Sequence, residues 1–171
     1  EKVIAMPYFC KRKMVFADAC EITEASPHRV NPVCNVNECG GCDWQHIDIN
    51  AQREYKREIF LECMKRIGGF EFLPHIYFSH SPNLAYRLRM RLQIDAAEGR
   101  AGYFGKRSHR VVHLPYCPVL QHGLENLISE NIFKLLPGPA NELRAIEGTD
   151  GLVASSPVLP GRTKEATHIK I

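Results

Sequence analysis

Four cysteines constrain this chain more than any other feature. Cys34, Cys39 and Cys42 form a C-x4-C-x2-C cluster around Gly40 and Gly41, and Cys117 follows after a gap of 74 residues, directly before Pro118. A Gly-Gly turn lets three nearby side chains point into the same space, and the distant cysteine would close a long loop. Four thiolates are the usual complement of a structural zinc site or an iron–sulfur cluster. Spacing alone leaves both open. Buried free thiols are the plain alternative, and a three-cysteine cluster around two glycines argues against it. Cys10, Cys20 and Cys63 read as ordinary small hydrophobes.

At 171 residues the chain is long enough to bury a core, as one domain or two small ones. A net charge of +3 permits an anionic partner without demanding one. No apolar run approaches the ~18 residues of a membrane span, and residues 1–13 lack the pattern of a secretory signal. Seven cysteines without such a signal favour free thiols in a reducing, cytoplasmic setting.

Along the chain, strands are expected near Lys2–Ala5 and Met14–Thr23, around a turn containing Pro7 and Lys11-Arg12-Lys13. Two strands alone are not a stable unit, so this segment reads as the remnant of a small β-barrel whose opening strands would precede Glu1. Asp48 or Asn50 caps a predicted helix running to about Ile67 and stopped by Gly68-Gly69. Its apolar stripe is Tyr55, Ile59, Phe60, Cys63, Met64 and Ile67, with Gln52, Arg53, Lys56 and Arg57 largely off it. Tyr86, Leu88, Met90, Leu92 and Ile94 then alternate with Arg87, Arg89, Arg91 and Gln93, the signature of a half-buried strand. Turns at Glu98-Gly99 and Gly105–Ser108 extend it into an antiparallel meander through 100–104 and 109–114. Leu120, Leu124, Leu127, Ile128 and Leu135 mark a second helix. Asp150-Gly151 signals a hairpin between 142–147 and 152–155, and a last strand is expected at 167–171. The fold class is α+β.

The alternation places Arg87, Arg89 and Arg91 at even spacing on one strand face. Lys106, Arg107 and Arg110 join them from the next turn and strand. Guanidinium groups suit phosphate oxygens, and the acids close in sequence, Asp95 and Glu98, cannot neutralise six cations. A phosphate-contacting nucleic-acid face is therefore expected. His46, His109 and His113 read as polar surface residues, and Trp44 as a packing residue beside the cysteines or under the helix. No glycine-rich dinucleotide or S-adenosylmethionine fingerprint, P-loop or nucleophile elbow is present, so the chain shows no catalytic centre of its own.

The run Cys39-Gly40-Gly41-Cys42-Asp43-Trp44-Gln45-His46, with Gln52 and Lys56 behind it, resembles the iron–sulfur class of RNA (uracil-5-)-methyltransferases. So do Tyr86-Arg87-x-Arg89, Gly102-Tyr103-Phe104, and the run from Val111 through Leu114-Pro115-Tyr116-Cys117-Pro118 to Leu120. The segment Ser26-Pro27-His28-Arg29-Val30-x-Pro32-x-Cys34 is similar to the family's approach to its cluster.

That resemblance implies a TRAM-type oligonucleotide-binding barrel ending in residues 1–26. It implies a central RNA-recognition domain over 27–171, with a meander, two helices and a four-cysteine loop. It further implies a 4Fe–4S cluster on Cys34, Cys39, Cys42 and Cys117, with zinc as the alternative. The S-adenosylmethionine pocket and catalytic cysteine would belong to a further domain outside these residues, leaving this fragment inactive alone. The branches of that family that carry cluster cysteines act on large-subunit ribosomal RNA, so 23S rRNA is the expected partner and no membrane is. Two other readings stand beside it. One is a zinc-stabilised nucleic-acid-binding module without an attached enzyme. The other is an iron–sulfur electron carrier, because plant-type ferredoxins use similar cysteine arithmetic.

Overall fold

The computed structural model describes residues 1–71, 75–130 and 132–165. The strand expected at 167–171 lies outside the described residues. The chain opens with a hairpin, β1 (Lys2–Lys11) and β2 (Met14–Glu24), both exposed along their whole length. They are longer than expected because Pro7 sits inside β1, beside an irregularity in the pairing, and not in the turn. An edge strand tolerates a residue that lacks an N–H at such a place. The turn itself falls at Arg12, which adopts φ 53°. No closed barrel is formed among the described residues.

Helix α1 (Ile49–Arg66) starts and stops where its signals predict. Asp48 accepts N–H bonds from Asn50 and Ala51 at 2.9 and 3.2 Å, and Gly69 follows the end at φ 67°. The expected burial of its apolar stripe does not occur. Ala51 alone is buried on α1, whereas Ile59 is 52% and Ile67 81% exposed. Periodicity revealed an apolar face but nothing about what would cover it.

The core is built on a five-stranded antiparallel sheet of β3 (Arg89–Asp95), β4 (Arg100–Phe104), β5 (Val111–His113), β6 (Glu142–Glu147) and β7 (Val153–Ser156). Their spatial order is β5-β4-β3-β6-β7. Met90, Leu92 and Ile94 point from the central strand into the core beside Leu143 and Ala145. The single second helix of the sequence reading is broken into α2 (His122–Ser129) and a short α3 (Ile132–Leu135). Leu124, Leu127 and Ile128 bury one face of α2 in the sheet's core, each contributing on the order of 2 kcal/mol. Gln121 at the start of α2 makes no side-chain cap; the buried Glu147 accepts the Leu124 N–H at 3.1 Å instead. The architecture is mixed α+β.

The strand expected from Tyr86 begins only at Arg89. Ala85 adopts φ 50°, and the chain from 85 to 87 pairs with 118–121 instead of continuing the sheet. The Ala85 N–H bonds to the Pro118 carbonyl at 2.9 Å, and Arg87 exchanges bonds with Val119 and Gln121 at 2.8 and 3.1 Å. This detour reverses the faces. Tyr86 and Leu88, expected inside, are 41% and 45% exposed. Arg87, expected outside, is half-buried.

Candidate cluster site and nucleic-acid surface

The cysteine loop reaches the meander as an improvised edge. Gly40 donates to the Phe104 carbonyl at 3.0 Å, Lys106 donates to the Glu38 carbonyl at 3.0 Å, and Cys39 bridges to Gly105. A Cβ at Gly40 would lie 2.9 Å from the Phe104 oxygen, so the close approach requires glycine there. Tyr116 ties the far cysteine's turn to the same loop. Its hydroxyl accepts from the Asn35 N–H at 3.1 Å and lies 3.0 Å from the Asn35 side-chain oxygen. Gln45 accepts the Cys34 N–H at 3.0 Å.

These contacts bring Cys34, Cys39, Cys42 and Cys117 around one cavity of about 110 Å³. Among the described residues, no three His, Cys, Asp or Glu side chains are arranged to hold a metal ion directly. The four thiols thus surround a space and do not converge on a point. Burial pushes the Cys117 thiol up, opposed by the Val119 N–H and Arg87 and reinforced by Cys42 and Cys34. Burial likewise pushes Cys39 up, with the Gly41 N–H opposing and Cys42 and Cys34 adding to it. Protein groups alone therefore disfavour a fully ionised set; a positively charged guest would favour it.

Tyr103 and Arg87 are among the other residues that line the cavity. The Tyr103 hydroxyl is buried without a hydrogen-bond partner among the described residues. Arg87 lies close enough to act on the hydroxyl as a hydrogen-bonding neighbour, outside ideal geometry, and an acceptor in the cavity that Tyr103 lines would complete its bonding. Burial raises the Tyr103 phenol and the Cys117 thiolate adds to this, against the lowering effect of Arg87. Burial works against the Arg87 charge, but Tyr103, Tyr86 and Cys117 outweigh it and the net direction is up. A cation and a weakly partnered hydroxyl beside four thiols thus fit an anionic thiolate-bound group. His46 also lines the space, while His109 and His113 are exposed.

The six expected cations do not form one comb. Arg87 and Lys106 both line the cysteine cavity. Arg91 binds Glu142 at 2.6 Å, Arg110 binds Glu38 at 2.6 Å, and Arg107 reaches Tyr8 and Asp18 of the hairpin. The acids come from sequence-distant segments, which is why counting only Asp95 and Glu98 underestimated neutralisation. Arg89 and Lys106 have no ion pair among the described residues.

Glu142 also binds Arg144, opposite Arg91 across β3 and β6, at 2.5 Å. Hydrogen bonding from Arg91 and then Arg144 holds the carboxyl below its usual range despite some desolvation. A depressed folded value stabilises above the ordinary 4.5 and is lost as pH falls through the folded value. In urea unfolding, Glu142→Gln should therefore lower stability at neutral pH and remove part of its decline on the acid side. An unchanged acid limb in the variant would contradict this assignment.

Trp44 packs where the sequence suggested, edge-on to Tyr55 of α1 at 6.5 Å, with the Lys56 ammonium 5.8 Å from its ring centre. Two features escaped the sequence reading. Tyr103 and Tyr116 stood within the motif strings without an assigned role. The segment 78–84 carried no assignment, and together with Tyr86 it lines the same groove as Trp44. No helix among the described residues is long and apolar enough to cross a membrane.

No family model matches the chain. It is 38% identical to an uncharacterized RNA methyltransferase of Synechocystis over 70% of this chain and 27% of that protein. It is 35% identical to an uncharacterized RNA methyltransferase of Bdellovibrio bacteriovorus over 76% of this chain and 33% of the relative. It is also 35% identical to a 23S rRNA (uracil(1939)-C(5))-methyltransferase of Halomonas elongata, covering 75% of this chain and 27% of that enzyme. Among solved structures, the Pyrococcus abyssi tRNA (uracil-54, C5)-methyltransferase in complex with S-adenosyl-L-homocysteine aligns with a TM-score of 0.48 and 25% identity. That alignment covers 84% of this chain and 34% of the other. The chain is therefore similar, over most of its length, to proteins named RNA methyltransferases, and spans 27% to 33% of the curated relatives described.

Proposed function

We propose that this chain is the RNA-binding, cluster-bearing part of an S-adenosylmethionine-dependent 23S rRNA (uracil-5-)-methyltransferase. The observation that carries the proposal is the gathering of Cys34, Cys39, Cys42 and Cys117 around one cavity with Arg87 and Tyr103. In this reading the four cysteines hold a 4Fe–4S cluster. Zinc fits less well, because an ion held by four thiolates lies only ~2.3 Å from each sulfur, whereas these surround a space. The cluster's role is structural: bound to thiolates from two segments, it clamps the start of α1 onto the end of the meander. An electron carrier is disfavoured by the relatives, which are named RNA methyltransferases.

Residues 1–26 are assigned to the end of a TRAM-type barrel and 27–171 to the central domain. Methyl transfer belongs to a further domain that supplies the S-adenosylmethionine pocket and nucleophile. The chain's contribution is to hold RNA. Arg89 and Lys106 have no ion pair among the described residues and are available for phosphate, and Arg91, Arg107 and Arg110 can exchange solvent-screened ion pairs for phosphate contacts. A cytoplasmic location keeps the cysteines reduced for cluster assembly.

Anaerobic purification should give a brown protein with broad absorption near ~400 nm, where d10 zinc is blank. A colourless, zinc-loaded anaerobic sample overturns the cluster assignment. The same protein should bind a labelled 23S rRNA segment without methylating it. Replacing Arg89 and Lys106 by Ala should flatten the salt dependence by about one unit each. Methyl transfer by the chain alone would overturn the domain assignment.

A further inference from the structure

A groove of about 900 Å³ runs between the cysteine loop, the start of α1 and the segment 78–86. Trp44, Phe78 and Tyr86 line it, together with Arg53 and Lys56. The walls are fixed by named contacts. Arg53 donates to the Ser81 carbonyl at 3.3 Å, Phe78 packs edge-on against Phe60 at 5.9 Å, and Gln52 donates to the Trp44 and Ile47 carbonyls at 3.0 and 2.9 Å. Gly41, Cys42, Asp43, Gln45 and Val119 belong to both this groove and the cysteine cavity.

We infer that this groove takes unstacked bases of single-stranded RNA, an inference that rests on the RNA-binding reading above and gives it a location. Tyr86, 41% exposed, offers the open ring that a flat base needs, and Trp44 and Phe78 line the same groove with Lys56 and Arg57 lying 5.8 and 5.9 Å from their ring centres. Lys56 and Arg53 can meet the phosphates between the bases. Asp48 is committed to capping α1, which leaves Asp43 as the acid facing the groove. With so little net charge, stacking supplies most of the attraction here. A-form duplex, whose bases stay paired, gains nothing from such a wall. The shared loop places base recognition directly against the cluster cavity, so loss of the cluster would disorder one side of the groove.

Trp44 is the chain's one tryptophan, so intrinsic fluorescence reports this groove alone. The test titrates the chain with end-labelled oligouridine, following label anisotropy and Trp44 emission together. Saturable quenching that tracks anisotropy is expected, with weaker salt dependence than binding to the arginine surface. Tyr86→Ala should weaken binding by roughly tenfold, and Tyr86→Phe should restore it because the ring is retained. Circular dichroism of both variants should match the parent. A rise in anisotropy with constant Trp44 emission and no effect of Tyr86→Ala overturns the groove but leaves RNA binding standing. No response in either signal, even at low salt, overturns both. Equal quenching by duplex RNA overturns the single-strand assignment. In the longer protein, shielding of Trp44 from iodide before RNA is added would assign the groove to a neighbouring domain and overturn the proposal.

Discussion

Replacing Cys117 by Ser should abolish the ~400 nm absorption of anaerobically prepared protein and lower its melting temperature by roughly 10 °C. Cys117 is the cysteine that comes from a separate part of the chain, with 74 residues between it and Cys42. A cross-link closing a loop of that length is worth about 4 kcal/mol by chain entropy. In a domain of this size each kilocalorie shifts melting by about 2–4 °C. Cys117 is also 8% exposed and part of the hydrophobic core, so a serine hydroxyl would be left poorly placed there. The measurement is a paired one: absorbance with iron and sulfide analysis, and thermal unfolding under anaerobic conditions. A variant that kept its stability while losing only reducibility would assign the cluster a redox role. A variant that kept the colour would remove Cys117 from the ligand set.

The second large effect is expected far from any thiol. Gly102→Ala should lower stability by about 3 kcal/mol or more, or prevent folding. Gly102 lies in β4 opposite His113, and a Cβ there would stand 1.8 Å from the Val112 carbonyl oxygen. Backbone occupies that space, so no side-chain rotation relieves the clash; β4 and β5 would have to separate. Tyr103, next in sequence, would then leave the cavity wall, and cluster content should fall with stability. Gly138→Ala is the control, since a Cβ there meets nothing within 4 Å. Equal melting temperatures for the two variants would contradict the observed pairing of β4 with β5.

How much was legible in advance depended on the range of the interactions involved. The cap of α1 by Asp48 and its stop at Gly68-Gly69 are local, and both stand in the structure at the expected residues. The alternation from Met90 to Ile94 likewise survives as the buried face of β3. It fails at Tyr86 and Leu88 because Ala85 and Arg87 pair with residues beyond 117, outside the reach of any strand-period argument. The hairpin of β1 and β2 was foreseen, but Pro7 was placed in the turn, whereas it lies within β1 opposite Ala17. An exposed edge tolerates its missing N–H.

The candidate site divides the same way. The sequence by itself singled out the four cysteines that the structure gathers around one cavity, because three thiols around two glycines can gather locally and an isolated Cys-Pro downstream is a recognisable fourth. It also determined the alternation that makes the sheet amphipathic. Only the tertiary structure decided that Arg87 turns toward the cysteines while Arg91, Arg107 and Arg110 find acids from remote segments. It alone set Trp44, Phe78 and Tyr86 around one groove, and left Ile59 and Ile67 of the apolar stripe of α1 exposed. The physical reason is that hydrophobic period and capping are carried by neighbours along the chain. Charge pairing, cavity walls and burial depend on through-space contacts, which exist only once distant segments have been brought together.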